Sequence, residues 1–238
     1  MKNKFEILEW DSEFFGFKVA KINNFNSNEE FEFIRKELKS NQVELVYVFS
    51  EPNSNFDTVL KTSNVLLADE KVTFSREIDD IKGSLDFSFI EEYRDDIVTD
   101  KMLDIAIQTS EHSRFRVDAN FKNEEFKKLY YQWIKNAVED KGNGKLFVYQ
   151  ESNVLKGLIY LKDINDKTGS ISLIGVDEGY RGEQIGTKLI EQAAFYFSKL
   201  GKKEVQVVTQ KANVLACNFY TKNGFQIIDT VNVYHLWL

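Results

Sequence analysis

The chain has 238 residues, 42% of them hydrophobic and 29% charged, enough for one large domain or two modest ones with a buried core. A formal charge of −7 argues against a general nucleic-acid or polyanion surface, since such binding needs a positive field to displace counterions from phosphates. The single cysteine, Cys217, permits no intrachain disulfide and fits a reducing, cytoplasmic location, and no apolar run approaches the roughly 20 residues a membrane helix needs.

From Phe5 to Ile22 an aromatic-rich pattern interrupted by Gly16 predicts two short strands around a turn. Ser27 followed by Glu30 is a capping-box pair, with Phe31, Ile34 and Leu38 on one helical face behind it. The run ELVYVF, Glu44 to Phe49, predicts a buried strand. A short helix over Phe56 to Lys61 and a strand over Val72 to Ile78 complete a small α/β unit, and DDIKGSLD reads as the connection to a second one. The expected domains are therefore residues 1–82, a small α/β unit, and 83–238.

The second unit begins with FSFIEEY and a helix near Asp100 to Thr109. A clearer helix over Asn123 to Val138 carries Phe126, Leu129, Tyr130, Trp133, Ile134, Ala137 and Val138 at helical spacing, and Lys141-Gly142-Asn143-Gly144 ends it. LFVYQ and VLKGLIYLKD predict a hairpin turned at Glu151-Ser152-Asn153. A strand SISLIGV, a helix over Gln184 to Leu200 and a strand EVQVVTQ follow, the helix presenting Ile185, Leu189, Ala193, Phe197 and Leu200 on one side. A helix over Asn213 to Lys222 closes at Asn223-Gly224, and FQIIDT with VNVYHLWL predicts a final pair of strands.

The strand-to-helix passage GVDEGYRGEQIG stands out. A strand that turns directly into a helix aims unpaired backbone N–H groups at one point, where the helix dipole adds positive charge, so it is an anion site suited to phosphate. Gly182 and Gly186 would let a ligand approach without a Cβ in the way, although glycines at such turns are more often structural. The passage has neither the Lys-Ser/Thr of a P-loop nor the spacing GxGxxG. Downstream, NVLACNFYTKNGF reads in purely structural terms as Asn213 capping a helix, Ala216, Phe219 and Tyr220 forming its apolar face, and Gly224 as a left-handed cap.

Taken together these two passages resemble the GCN5-related N-acetyltransferase (GNAT) superfamily. Its Arg/Gln-x-x-Gly-x-Gly/Ala motif is similar to Arg181 through Gly186, and its Asn-x-x-Ala-x-x-Phe-Tyr-x-x-x-Gly-Phe motif matches Asn213 to Phe225, the resemblance covering about residues 87–238. Gln184 stands where the family has its first glycine. The resemblance implies an α/β (α+β) fold with a central mixed sheet flanked by helices, to which the small amino-terminal unit is added. It also implies acetyl-CoA held by Arg181, Gly182, Glu183, Gln184, Ile185, Gly186 and Thr187. The pantetheine would lie along the strand at Ile174, Gly175 and Val176, with Asn213 and Asn218 contributing from the next helix. Gly175 is a candidate bulge that would open the strand ladder for the pantetheine amides.

Three further stretches, LEWDSEFFGFKVAKI, HSRFRVD with FKKLYYQWIKNA, and the terminal YHLWL, resemble the dTDP-4-amino-4,6-dideoxygalactose acyltransferases of bacterial surface-polysaccharide synthesis. They imply a sugar-nucleotide acceptor and extend the resemblance over almost the whole chain. Arg114 and Arg116, two apart, would share one face of a strand or extended loop, where paired guanidiniums suit a diphosphate. A solvated charge cluster is the alternative. His112 precedes them and is a candidate for facing the substrate.

The implied reaction is attack of a neutral sugar amine on the thioester. Tyr220 matches the family's tyrosine, whose hydroxyl, with a reference pKa of about 10, would protonate the leaving sulfur; a core tyrosine is the alternative. No residue is identified as the base, and a water chain would serve. Cys217 has no partner for a covalent acyl-enzyme, and no metal-ligand spacing appears. Another amine acceptor (a protein amino terminus, an antibiotic or a polyamine) and a non-catalytic acyl-CoA-binding module remain alternatives, and a homodimer is left open.

Overall fold

A computed structural model describes residues 4–63, 65–78, 86–140 and 144–238. The expected boundary between residues 82 and 83, the DDIKGSLD connection up to its last residue, and Lys141-Gly142-Asn143 lie outside them. The described chain forms two compact units, each drawing on separate stretches of sequence. One comprises residues through Val72, with Gln210–Ala212 and Asp229–Leu238; the other comprises Thr73–Thr209 and Asn213–Ile228. Among the described residues no helix is long and apolar enough to cross a membrane.

In the first unit, β1 (Phe5–Ile7), β2 (Val19–Ile22), β3 (Leu45–Ser50), β10 (Gln226–Trp237) from Asp229 on and β4 (Leu66–Glu77) as far as Val72 are neighbours in that order. The pairing is mixed: β1 with β2 and β3 with β10 antiparallel, β2 with β3 parallel. Helices α2 (Asn28–Ser40) and α3 (Asn55–Thr62) cover one face, burying Phe31, Ile34, Leu38 and Leu60 against Ala20, Val46, Val48 and Tyr234. Ser27 caps α2 as expected, its hydroxyl accepting from Glu30 N–H at 3.2 Å, but the Glu30 carboxylate accepts from Asn26 N–H rather than closing back on Ser27.

Two expectations fail here. The stretch read as two strands around Gly16 holds a helix between them, α1 (Glu9–Phe15), with Gly16 as its left-handed C-cap at φ 77°. The helix buries no residue, so its aromatics never form a core stripe; Trp10 and Phe14, one turn apart, stack on each other instead at 5.0 Å. The expected final pair of strands is the single twelve-residue strand β10, exposed in its first half and buried in its second. The polar Asp229-Thr230 marks that change of cover rather than a turn.

The second unit arranges β4, β9 (Glu204–Gln210), β8 (Thr168–Val176), β7 (Val154–Asp163), β6 (Gly144–Glu151) and β5 (Ile90–Glu92) in order. Strands β5 to β8 are antiparallel, β8 and β9 parallel. The β6–β7 hairpin turns at Ser152 and Asn153, both with positive φ, the twist-matched geometry for a two-residue loop. Alternation along the strands feeds two layers. Leu146, Val148, Leu158 and Tyr160 face α4 (Asp100–Gln108) and α6 (Glu125–Glu139), whereas Phe147 meets Tyr196 of α7 (Ile185–Lys199). Within α7, Ile185, Leu189, Ala193 and Phe197 are buried, but Leu200, expected on the same side, is the half-exposed C-cap.

Candidate active site

Strand β8 delivers the site. Its parallel ladder with β9 runs from Thr168 opposite Glu204 to Ile171 opposite Val207 and ends there, although β8 continues to Val176 and β9 to Gln210. From Ser172 to Val176 the β9-facing edge of β8 therefore lacks a ladder partner, and apart from Val176 O, which Arg181 engages, its backbone groups are available to an extended ligand that bears amides. The bulge responsible is not at Gly175, which pairs in register with Leu158; the shift falls where Tyr160 pairs with Leu173 and Leu161 with Ile171, making Ser172 the extra residue. Gly175 is glycine for packing, because a methyl group there would lie 2.7 Å from Ile105 Cγ2 of α4.

Past Val176 the chain makes a single 3₁₀ turn over Glu178–Tyr180 and enters α7 through Arg181 to Gln184. Gly182 has φ 89° and Gln184 φ 61°, with Glu183 between them outside the left-handed region, an alternation that curls successive N–H groups into a concave anion nest. Gln184, which stands at the family's glycine position, adopts the left-handed geometry at some cost in strain and keeps its side chain exposed. It makes no side-chain cap, and Lys188 N–H is the first to bond back, to Gln184 O at 3.0 Å. The N–H groups of Ile185, Gly186 and Thr187 thus open the helix without intrahelical acceptors, and its first turn contains no acid to cancel the dipole. The Glu183 carboxylate just before it is opposed by Lys156 Nζ at 3.8 Å. Open strand edge, nest and uncapped helix start together fit a pantetheine–pyrophosphate chain.

The sequence does not reveal what holds this turn. Arg181 is tied back to the turn by two of its five N–H groups: its Nε donates to Val176 O at 3.2 Å and its Nη2 to Gln108 Oε1 at 3.4 Å. Asp177 caps the 3₁₀ turn through Gly179 N–H and is paired with Lys101. The lysine contact is the main reason its carboxyl is held below the usual range.

Helix α8 (Val214–Lys222) begins at Asn213, whose side chain accepts from Ala216 N–H at 3.1 Å, and closes at Gly224 with φ 83°. Of its expected apolar face only Tyr220 is buried; Ala216 and Phe219 are partly so, and Asn218 is exposed. Tyr220 lies against Phe74, Phe219 and Phe225, with ring centroids 5.6, 5.5 and 5.8 Å away. Burial, then the neighbouring Cys217, pushes its phenol well above the ordinary range, so the hydroxyl stays protonated at neutral pH.

Helices α7 and α8 meet at Gly186, where a methyl group would sit 2.9 Å from Phe219 Cζ. Gly182, with open space where its Cβ would be, is glycine for its φ. Gly186→Ala is therefore expected to press on Phe219, costing about 1–3 kcal/mol of stability, and to weaken CoA binding through the displaced α8. Thermal melting and calorimetry check both; an unchanged melting temperature with weakened binding would restore the ligand-clearance explanation.

His112, Arg114 and Arg116 lie between α4 and α6. Arg114 and Arg116 are in a single helical turn, α5 (Arg114–Val117), not in a strand or extended loop, so two residues apart they point to different sides. Arg116 donates to Ser110 Oγ at 3.2 Å and lies over the Phe126 ring; Arg114 lies over Phe115. His112 is half-buried in the preceding turn, and His235 is buried in the first unit with its ring 5.2 Å from Tyr47.

The sequence pattern of the acetyltransferase (GNAT) family matches residues 105–225. Streptothricin acetyltransferase A of Bacillus subtilis is 28% identical over 119 residues, 47% of this chain and 68% of that protein. The spore coat polysaccharide biosynthesis protein SpsD of the same organism is 21% identical over 140 residues, 58% of this chain but only 47% of that protein. Among solved structures, a GCN5-related N-acetyltransferase from Sphaerobacter thermophilus superposes with a TM-score of 0.63 at 12% identity, covering 98% of this chain and 76% of that one.

Proposed function

The chain belongs to the acetyltransferase (GNAT) family, and from that premise we propose that it transfers acetyl from acetyl-CoA to the 4-amino group of a dTDP-linked amino-dideoxy sugar. The observation that carries the acetyl-CoA half is the unpaired edge of β8, followed across a single 3₁₀ turn by the nest and open helix start at Gly182–Thr187. When bound, acetyl-CoA supplies the activated carbonyl. The N–H groups of Ile185, Gly186 and Thr187 hold the pyrophosphate, and the β8 edge at Ile174 to Val176 orients the pantetheine. Tyr220, neutral and desolvated, gives its proton to the leaving sulfur as the carbon–nitrogen bond forms and the carbon–sulfur bond breaks; the proton shed by the acceptor nitrogen passes to water and, through it, restores the tyrosine hydroxyl.

The acceptor half rests on the stretches LEWDSEFFGFKVAKI, HSRFRVD and YHLWL, and on the relative SpsD, whose name ties it to polysaccharide biosynthesis. Arg114 and Arg116 are the proposed diphosphate ligands, although in α5 they leave on different sides, so they do not form the one-faced pair expected of a strand. The relative named for streptothricin supports a second reading, an antibiotic amine as acceptor.

Acetylation assays with dTDP-4-amino-4,6-dideoxygalactose and with streptothricin, following thiol release, separate the two. Turnover of the sugar nucleotide, with its KM raised in Arg114→Ala and Arg116→Ala and that for acetyl-CoA unchanged, is the expected result. Turnover of streptothricin alone would give the antibiotic reading its place. CoA binding without turnover of any amine would leave a non-catalytic module.

A further inference from the structure

Helix α4 touches the β8 end of the site twice. Its Ile105 and Thr109 close on Gly175 so tightly that a methyl group there would sit 2.7 and 3.0 Å from their Cγ2 atoms. One turn on from Ile105, Gln108 reaches the connection between β8 and α7. Its Oε1 accepts from Glu178 N–H at 2.9 Å and from Arg181 Nη2 at 3.4 Å; its Nε2 donates to Asp177 Oδ2 and Asp104 Oδ2, each at 3.3 Å. The amide orientation is forced, because an N–H and a guanidinium can face only its oxygen and carboxylates only its nitrogen.

We infer that Gln108 is a positioning residue for coenzyme A: it sets the backbone of Asp177–Arg181, and through it the anion nest at Gly182–Gln184, without touching the ligand. The inference rests on the acetyl-CoA reading above. Arg181 explains why one amide suffices. Its Nε is fixed to Val176 O at the strand end and its Nη2 to Gln108, so the guanidinium spans the 3₁₀ turn and transmits the helix position to the residue directly before the nest. Asp177 completes the frame from the other side, held to Lys101 of the same helix and accepting from Gly179 N–H. A neutral amide is required in the middle. A carboxylate would satisfy Glu178 and Arg181 but face two acids, and an apolar side chain would hand the exposed Glu178 N–H to water and cut the tie between α4 and the turn.

The test is calorimetric binding of CoA, together with thermal melting, on the intact protein. Gln108→Leu and Gln108→Glu are each expected to weaken CoA binding by about tenfold, with kcat at saturating acetyl-CoA within about twofold of wild type. The decisive readout is the split between binding and turnover: weakened CoA binding with kcat intact marks a residue that positions the binding turn, whereas a merely structural role would lower kcat and the melting temperature with it. Tight CoA binding by wild type with equally tight binding by both variants, or affinity and kcat lost together, would overturn the role of Gln108 and leave the acetyl-CoA reading standing. Should Gln108→Leu fail to fold, Gln108→Glu decides alone. Failure of the wild type to bind CoA at all would instead overturn the acetyl-CoA reading and this inference with it.

Discussion

Replacing Tyr220 with phenylalanine is expected to lower kcat by roughly 10²–10⁴-fold, the usual worth of a positioned general acid, while the KM values hardly move. The hydroxyl acts only as the carbon–sulfur bond breaks, so ground-state binding does not sense it. Its surroundings suit the role. The ring is held by Phe74, Phe219 and Phe225, and burial, which raises the phenol, fixes it in the neutral donor form at a cost in acid strength. The competing role is a core tyrosine whose ring fills space. Phenylalanine preserves that ring, so the change would then cost about 1 kcal/mol if a buried hydrogen bond is lost and spare turnover. A proton delivered through water would give a third pattern, with kcat reduced only slightly and stability intact. Turnover and melting temperature measured on one preparation separate these outcomes, and full activity in a destabilised variant would end the catalytic assignment.

The parts of the site legible in the sequence are those built from local contacts. Asn213 capping α8, Gly224 ending it, the Ser152-Asn153 turn and the apolar face of α7 all depend on residues within a few positions of one another, and the structure has each of them. The strand-to-helix turn was legible for the same reason, although the purposes of its glycines were not: Gly182 serves φ, Gly186 serves the approach of α8. Two short helices escaped because neither has a periodic pattern to read. Helix α1 buries nothing, and α5 is only four residues long. The bracing of the turn was out of reach for another reason. Gln108 lies 70 positions from Glu178, and nothing in the local sequence of either announces the partnership. The same holds for Arg76 and Glu191, 115 positions apart.

A chain beginning at residue 83, the start of the acetyltransferase domain expected from sequence, should fail to fold cooperatively. The unit that carries the site includes Thr73 to Glu77 of β4, which lies beside β9. Three consecutive side chains there, and the backbone just after them at Ile78, are committed to it. Phe74, 1% exposed, packs on Tyr220. Ser75 donates to Glu204, whose carboxylate Thr168 also binds. Arg76 grips both oxygens of Glu191 on α7 and accepts a further load by donating to Asn223 O at the end of α8. Ile78 N–H bonds to Lys203 O at 2.8 Å. Removing the segment would leave an aromatic-sized void against Tyr220, two partly buried carboxylates short of donors, and β9 with an unpaired edge that invites association with other chains. Loss of Phe74 alone, as Phe74→Ala, should cost about 3–5 kcal/mol, and because the void opens on the Tyr220 ring it should also depress kcat, whereas Ser75→Ala should leave turnover intact. Circular dichroism melts of the shortened chain and of Phe74→Ala, with turnover measured on the latter, decide the matter. A sharp, reversible transition in the shortened chain would mean that β4 is dispensable to the unit and that Tyr220 is held by α8 and Phe225 alone.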